Sequence, residues 1–282
     1  MTTRILPISQ KQVATFLHPR PRDSHKGQFG TVAVIGGAPG MVGAALLAGR
    51  AALKLGAGCV HVGLLADNAP VVDMGQPELM LHNAQAALRI PKLDVLAIGC
   101  GMGRDLAAHK ILHDALKLDA ALVLDADALN ILAQRPDLRT LLISRKAASV
   151  ITPHPGEAAR LLGHSTEEVQ AARPEAAQEL AKRLGCAVVL KGAGSICVTR
   201  EGKTYINQTG NPGMSGPGMG DVLSGMIAAF IAQGLDADQA LLLAVHLHGA
   251  AGDALAQQLA TIGMSATEVT EWARWLLNQW AK

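Results

Sequence analysis

The densest group of residues suited to chemistry lies between Asn211 and Asp221, where the sequence reads NPGMSGPGMGD and an apolar helix is predicted over Val222–Ile231. Glycines in such a loop let backbone amides point to one place at a helix N-terminus, where they stabilise a phosphoryl group in transfer. Asp221 either caps this helix or accepts a proton from an attacking hydroxyl. The segment therefore indicates phosphoryl transfer, with Asp221 as the candidate base.

A second group follows an apolar run that ends at Leu124 and reads DADALN over residues 125–130. Two carboxylates and a carboxamide at the end of a strand suit Mg²⁺ held partly through water. The alternative is structural, because Asp127 is also suited to cap the next helix. Since Asp125 would be costly to bury without a partner, both interpretations stay open.

Two further loops carry side chains able to hold a ligand. In TPHPGE, residues 152–157, two prolines fix the backbone around His154, and Glu157 falls where a helix is predicted to begin. A single histidine is often only a surface residue. Because the loop is rigid and follows a strand, a ligand contact by His154 is an equally good interpretation. KGAGS, residues 191–195, offers a cation, a flexible backbone and a hydroxyl, which suit either a phosphate clamp or a hairpin turn.

Two other segments resemble known sites less well. The loop Gly36–Gly43 stands between a predicted strand and helix, but Pro39 removes a donor and no acidic residue follows where a dinucleotide fingerprint needs one, so a plain tight turn is the stronger alternative. His246, His248 and Asp253 resemble a metal cluster. Residues two apart on a helix face different ways, so an ordinary packed helix is favoured.

The elements that must position these loops alternate short aliphatic runs, glycine-containing bends and Ala/Leu-rich helices, a pattern typical of parallel strands joined by crossover helices. Ligands bind at the carboxyl ends of such strands, which is where the loops fall. Three short runs between residues 187 and 207 are separated only by turns, which predicts an antiparallel or mixed edge. After residue 220 only helices are predicted. One α/β/α domain over residues 1–282 is expected, with its last third packed on one face.

The predicted strands are Thr31–Ile35, Cys59–Leu64, Leu93–Ile98, Ala121–Leu124, Ser149–Thr152, Ala187–Lys191, Ser195–Thr199 and Thr204–Asn207. The predicted helices before residue 220 are Ala44–Leu55, Leu106–Leu116 and Pro174–Leu184.

Composition excludes several classes of protein. With 49% hydrophobic and 17% charged residues in 282, the chain is far too apolar for a disordered protein. A net charge of +2 without charged runs, and only three Phe, one Tyr and three Trp, argue against nucleic-acid binding. The uncharged stretch 31–49 contains GGAPG, which breaks a helix, so no membrane span is predicted.

Cysteine usage and the chain ends give further expectations. Four scattered cysteines without a CxxC pair predict reduced thiols in a cytoplasmic protein, and the N-terminus lacks the apolar core of a secretory signal. Ser265 and Glu268 form a predicted capping box for a helix that places Trp272, Trp275 and Trp280 on one side. That side is either core or a subunit contact.

Together these segments resemble the NAD(P)H-hydrate dehydratase family, the carbohydrate-kinase-like domain also called YjeF C-terminal, within the ribokinase-like superfamily. The resemblance runs from about Ser24 to about Leu259, and several long motifs in one order make it specific. The matching segments are Ser24–Gly27, Gly36–Leu47 (GGAPGMVGAALL), Gly99–Gly103, Asp125–Asn130, Thr152–Glu157, Lys191–Ser195 and Asn211–Gly225.

The resemblance implies a three-layer α/β/α ribokinase-like fold and a role in metabolite repair. NADH or NADPH that has been hydrated at the nicotinamide ring (NADHX or NADPHX) would be dehydrated back to the working cofactor, starting from the S-epimer. Bacterial members use ADP as the phosphoryl donor and release AMP and phosphate, eukaryotic members use ATP, and Mg²⁺ is the expected cofactor. Because hydroxide is a poor leaving group, phosphorylating the ring hydroxyl before eliminating phosphate lowers the barrier, and Asp221 would activate that hydroxyl.

The resemblance also assigns roles to individual residues. The anion hole would be formed by Gly218, Met219 and Gly220, with Asp221 as the catalytic base. The hydrate would be contacted by Ala44, Gly101, His154 and Asp221. The adenine nucleotide would be held by Lys191, Gly192, Ala193, Gly194, Ser195 and Gly220. Mg²⁺ would be held by Asp125, Asp127 and Glu157.

Two departures from the family pattern affect these expectations. Family members often carry an N-terminal epimerase domain, and nothing before Ser24 is long enough to be one, so a separate NAD(P)HX epimerase is expected as a functional partner. Pro217 stands before Gly218, where a more flexible glycine is expected, and it removes one possible amide donor. A homotetramer or larger homo-oligomer is also implied by the resemblance.

Two alternative functions remain. One is a small-molecule kinase of the same superfamily, acting on a thiazole or pyrimidine alcohol; GGAPGMVGAALL and TPHPGE argue against it. The other is a nucleotide-binding protein without catalysis; the joint presence of Asp221 and Lys191 argues against that.

Overall fold

The structure of the protein is a computed structural model that describes residues 4–281. The strands of its sheet are β1 (Ile5–Pro7), β2 (Thr31–Gly36), β3 (Cys59–Leu64), β4 (Met80–Asn83), β5 (Val95–Ile98), β6 (Ala121–Leu124), β7 (Ser149–Ile151), β8 (Ala187–Leu190), β9 (Ile196–Val198) and β10 (Thr204–Ile206). The helices are α1 (Gln10–Ala14), α2 (Val42–Lys54), α3 (Ala84–Ala87), α4 (Leu106–Ala115), α5 (Ala126–Gln134), α6 (Pro136–Ile143), α7 (Pro155–Leu162), α8 (Thr166–Ala171), α9 (Arg173–Leu184), α10 (Met219–Ala232), α11 (Ala237–Gln258) and α12 (Ala266–Trp280).

All ten strands form one sheet in the order β1-β10-β9-β8-β7-β6-β5-β2-β3-β4. The pairs β8/β9 and β9/β10 are antiparallel, and the other pairs are parallel. The predicted α/β class with a mostly parallel sheet is therefore confirmed. The antiparallel strands lie one place inside the edge, because β1 adds to β10 in parallel. Both outermost strands, β1 and β4, are short and lack a buried run, which is why the sequence pattern missed them.

The sheet is covered by helices on both faces, which explains why its inner strands are apolar throughout. In β2, Val32 and Val34 face one layer, while Ala33 and Ile35 face the other. The first layer contains α2, α10, α11 and α12, and the second contains α3 to α9. The prediction that the last third of the chain packs on one face is thus confirmed.

Helices α2 and α10 approach one another at backbone distance. A methyl group added at Gly225 would lie 2.1 Å from the carbonyl oxygen of Ala48, and one added at Gly218 would lie 2.5 Å from Cδ1 of Leu47. Only residues without a Cβ allow this approach. The N-termini of both helices are consequently held together at the carboxyl end of the sheet.

The remaining expectations about the chain have mixed outcomes. All four cysteines are free thiols, and the capping box of Ser265 and Glu268 is present. Trp272 and Trp280 pack against the core, as the first alternative has it, whereas Trp275 is 53% exposed and a subunit contact there stays a prediction. Within residues 4–281, no helix has the length and apolar character needed to cross a bilayer.

Candidate active site

The loops that the sequence singled out meet at one end of the sheet. They follow β2, β5, β6, β7 and β8 at the carboxyl ends of these parallel strands, and the N-terminus of α10 meets them there. This is the edge where open α/β sheets bind ligands. The site is thus assembled from parts that are more than 150 residues apart in the chain.

The N-terminus of α10 is built for an anion. Gly218 is its N-cap in the left-handed conformation, with a φ of 85°, which favours glycine. No side chain of the described residues caps this helix, and the amides of a first turn, here those of Met219 and Gly220, have no acceptor within the helix. Pro217 precedes the cap and removes none of these first-turn donors.

Asp221 is the third residue of α10 and does not cap it, since the N-cap is Gly218. The capping alternative for Asp221 is therefore wrong. Burial, and next the negative charge of Asp125, raise the pKa of Asp221 from its ordinary 3.8 to about 6, against the opposing effects of the Cys100 thiol and Lys191. A carboxylate with this pKa is ionised at neutral pH and is basic enough to accept a proton.

A buried ion pair lies against this helix turn. The Nζ of Lys191 is 2.6 Å from Oδ1 of Asp125 and 4.0 Å from Oε2 of Glu157. Burial by itself would lower the pKa of Lys191, but the charges of Asp125 and Glu157 outweigh it and raise that pKa, so Lys191 remains a cation. A methyl group at Gly220 would lie 3.2 Å from this Nζ, which places Lys191 beside the first turn of α10.

His154 and Glu157 form a reciprocal cap at the start of α7. The backbone N–H of His154 donates to Oε2 of Glu157 at 2.8 Å, and Nδ1 of His154 accepts from the amide of Gly156 at 3.0 Å. Half of the His154 side chain stays exposed, while Glu157 is buried. Burial raises the pKa of Glu157, and Lys191 opposes that change. His154 therefore has a structural role, since its Nε2 also lies 3.3 Å from Oε1 of Glu157, while half of its side chain remains exposed.

Ala44 and Gly101, the two small residues predicted to contact the hydrate, are brought together. A methyl group at Gly101 would lie 3.1 Å from Cβ of Ala44. The loop after β2 is tied to the loop after β5, because Gly37 donates to Cys100 at 3.0 Å and Ala38 donates to Gly101 at 2.7 Å. The loop Gly36–Gly43 is thus a tight turn fastened to its neighbour.

The loop Lys191–Ser195 is a turn between β8 and β9 held by a side chain that the sequence did not indicate. Arg173, the first residue of α9, donates to the carbonyls of Ala193, Leu190 and Lys191. Gly192 and Gly194 have positive φ angles of 140° and 65°. The hydroxyl of Ser195 donates to the carbonyl of Gly192 at 3.0 Å. This loop is rigid where nucleotide phosphates are expected.

The three carboxylates predicted to hold Mg²⁺ do not fit such a site. Asp125 is bonded to Lys191, whose ammonium group lies between it and Glu157. Asp127 accepts from the amide of Gly103 at 2.9 Å and lies 3.9 Å from Arg104. In the part of the chain that the structure describes, no three His, Cys, Asp or Glu side chains are grouped to hold a metal ion. The cap of α5 is Asp125, not Asp127 as the structural alternative had it.

Three contributors to the site were missed by sequence reasoning. Ser224 donates to Oδ2 of Asp125 at 2.9 Å, the thiol of Cys100 lowers the pKa of Asp221, and Arg173 holds the loop after β8. Burial keeps the pKa of Cys100 well above its ordinary value, so the thiol stays a donor. Ser224 and Cys100 lie inside matched segments, but Arg173 had no signal in the sequence.

Two members of the histidine and aspartate group on α11, His246 and Asp253, make structural contacts, whereas Nε2 of His248 is buried without a hydrogen-bond partner among residues 4–281. Nδ1 of His246 is 3.2 Å from the Asn207 side chain, and Asp253 accepts from the amide of Gly210 at 2.8 Å. These bonds fasten the loop after β10 to α11, in agreement with the packed-helix interpretation.

Comparison with known proteins finds relatives whose names agree with one another. A family model described as NAD(P)H-hydrate dehydratase matches residues 32–274. A protein of Neisseria meningitidis serogroup B named ADP-dependent (S)-NAD(P)H-hydrate dehydratase is 41% identical over 267 residues, which cover 93% of this chain and 90% of that protein. A bifunctional NAD(P)H-hydrate repair enzyme of Escherichia coli K12 is 39% identical over 279 residues, and the match spans 98% of this chain but only 53% of that enzyme.

A solved structure agrees with these relatives. The ADP/ATP-dependent NAD(P)H-hydrate dehydratase of Bacillus subtilis, co-crystallised with ATP and Mg²⁺, has a TM-score of 0.88 and 29% identity, with 98% of this chain and 99% of that chain covered. The match with the family model includes Ala44, Gly101, His154, Lys191 and Asp221, the residues that meet at the carboxyl end of the sheet. By sequence, by fold and by the assembly of this site, the chain belongs to the NAD(P)H-hydrate dehydratase family.

Proposed function

We propose that this chain dehydrates the S-epimer of hydrated NADH or NADPH back to the working cofactor, with ADP as the phosphoryl donor and AMP and phosphate as products. The observation that carries the proposal is Asp221, whose pKa is raised to about 6 at a helix N-terminus that also faces Lys191. Family membership and the names of the relatives support the choice of substrate and donor.

In the first step the ring hydroxyl loses its proton and receives a phosphoryl group. Asp221 accepts the proton of the ring hydroxyl as its oxygen attacks the β-phosphorus of ADP, and the bond to the AMP oxygen breaks. The amides of Met219 and Gly220 stabilise the charge on the transferring group. Lys191 supplies a fixed cation for the nucleotide phosphates.

The second step releases phosphate. The C–O bond of the phosphate ester breaks with its electron pair, the neighbouring ring carbon loses a proton, and the double bond of the reduced nicotinamide forms. Ala44 and Gly101 lie against one another at the start of α2, and the space beside Gly101 is already filled by Met41 and Ala44. The half-exposed side chain of His154 is a further group expected to meet the hydrate. Because no carboxylate trio suits Mg²⁺ here, any Mg²⁺ in the reaction would arrive on the nucleotide phosphates, which commonly complete its ligands.

The proposed partners rest on the resemblance to the family. We expect a separate NAD(P)HX epimerase to convert the other epimer, and a homo-oligomer, with a tetramer as the expected size. A cytoplasmic location and the preference for ADP stay predictions.

The test is the absorbance of reduced nicotinamide with purified protein, Mg²⁺ and chemically hydrated NADH, adding ADP or ATP in turn. A rise that depends on ADP and is lost in Asp221→Asn supports the proposal. Its kcat/KM should increase with pH through a midpoint near 6, as Asp221 ionises. Absence of a rise with either nucleotide, for folded protein, contradicts it and would direct attention to alcohol kinase substrates.

A further inference from the structure

Asp125 is the most deeply buried carboxylate of the site, with 2% of its residue surface exposed. Three donors reach it: the amide of Ala126 at 2.8 Å, the ammonium of Lys191 at 2.6 Å and the hydroxyl of Ser224 at 2.9 Å. A buried charge is tolerated only when it is paired and hydrogen-bonded in this way. These three donors occupy both oxygens of Asp125 and leave little of the carboxylate free for a metal ion.

The backbone beside Asp125 is also constrained. Ala126, the residue that follows it, has a φ of 47°, in the left-handed region that residues with a Cβ seldom adopt. Strained conformations of this kind persist where the surrounding structure fixes them, and they are frequent at functional sites. The constrained residue directly follows Asp125, whose carboxylate caps α5 and contacts Lys191.

The ion pair borders the helix turn that carries the base. A methyl group at Gly220 would be 3.2 Å from Nζ of Lys191 and 3.5 Å from Oδ2 of Asp125, so both charges touch the residue that precedes Asp221. We propose that Asp125 is a positioning residue of this active site, which fixes Lys191 against Gly220 and maintains a negative charge beside Asp221, and that it is not a Mg²⁺ ligand. Its consequence for turnover rests on the proposed function.

The pKa of Asp221 depends on several charged and titratable groups around it, of which Asp125 is one. Asp125 approaches from the end of β6, Lys191 from the end of β8, and the thiol of Cys100 from the end of β5. Beyond them, Glu157 and His154 on α7 and His248 on α11 face Lys191. Asp125 raises the pKa of Asp221, whereas Cys100 and Lys191 lower it. Removing the charge of Asp125 should therefore lower the pKa of Asp221.

The experiment titrates Asp221 by ¹³C NMR of carboxyl-labelled aspartate in the unliganded protein, with the signal assigned through its loss in Asp221→Asn. Asp125→Asn and Asp125→Ser each remove the charge and keep a residue that caps helices well, so α5 can still form. The midpoint should be about 6 in the unmodified chain and lower by on the order of one pH unit in both variants. Asp127→Asn is the matched control, because it removes a carboxylate from the same helix that does not face Lys191.

The outcomes separate this inference from the proposed function. A midpoint that does not move in either Asp125 variant, or that moves equally in Asp127→Asn, overturns the inference. A shift confined to the Asp125 variants supports it even if the unmodified chain fails to dehydrate hydrated NADH, in which case the proposed function alone is lost. If dehydration occurs, Asp125→Asn should lower kcat/KM by on the order of tenfold or more and move the acid limb of the pH profile to lower pH.

Discussion

The substitution Asp221→Asn should make the protein more stable while it removes activity. The folded chain holds the pKa of this carboxyl at about 6, against an ordinary 3.8, a difference of about two pH units. Since one pH unit corresponds to about 1.36 kcal/mol, the ionised side chain costs the folded state about 3 kcal/mol at pH 8. Asparagine has nearly the same shape and carries no charge, so this cost disappears.

Because the pKa of Asp221 is raised in the folded chain, the stability gained by Asp221→Asn depends on pH. Below about pH 3 the carboxyl is neutral in both the folded and the unfolded chain, so its ionisation costs the folded state nothing. Between the ordinary pKa of 3.8 and the folded pKa of about 6, the unfolded chain is ionised while the folded chain is still largely protonated, so stability falls with rising pH and then levels off. The advantage of Asp221→Asn should therefore grow from about 1.5 kcal/mol at pH 5 to about 3 kcal/mol at pH 8.

Urea unfolding at pH 5, 6, 7 and 8 measures this difference as a change in the free energy of unfolding. Asp73→Asn is a control of opposite sign, because hydrogen bonding to Arg50 holds the pKa of Asp73 below its ordinary value. That contribution is lost only when the pH falls through the lowered pKa, so Asp73→Asn should be less stable by an amount that is constant from pH 5 to 8. An Asp221→Asn protein no more stable than its parent at pH 8 would refute the assignment of Asp221 as a buried base.

Three further substitutions test the parts that hold the site. Gly225→Ala should destabilise the protein by about 2 kcal/mol or more in urea unfolding, because the new methyl meets the backbone oxygen of Ala48, at 2.1 Å. Gly43→Ala, in open space near the start of α2, should instead stabilise it by about 0.5–1 kcal/mol; a loss there would contradict the geometry. Arg173→Ala frees the loop Lys191–Ser195, so steady-state kinetics should show a KM for ADP raised on the order of tenfold with kcat changed less; a loss confined to kcat would count against this role.

Much of the fold could be predicted from the sequence, because the inner strands are continuous aliphatic runs and the helices between them are periodic. The helix expected over Ala44–Leu55 is found over Val42–Lys54, and the strand at Ala121–Leu124 has its predicted bounds. The edge strands β1 and β4 escaped prediction because, unlike the inner strands of similar length, neither contains a buried residue. Edge strands gain their stability from pairing, and pairing leaves little trace in a local pattern.

The sequence was sufficient to predict which loops form the candidate site, but not which of their side chains pair with one another. Motif order placed Asp125, Lys191 and Asp221 in one site, since loops after parallel strands meet at one edge. The sequence did not reveal that Lys191 lies between Asp125 and Glu157, so a carboxylate cluster was interpreted as a metal site. Which cation neutralises buried acids depends on contacts between residues 66 positions apart, and no local spacing reports such a contact.

The backbone contact between α2 and α10 has a consequence for how the protein would lose activity. Ala44 stands near the start of one helix and Asp221 near the start of the other, and glycine at 225 lets the two helices pack as one body. The residues of the site therefore lose their conformational entropy when the chain folds, and ligand binding does not have to order them again. Heat should leave catalysis intact up to the melting transition, so thermal inactivation and loss of the core would occur as one event.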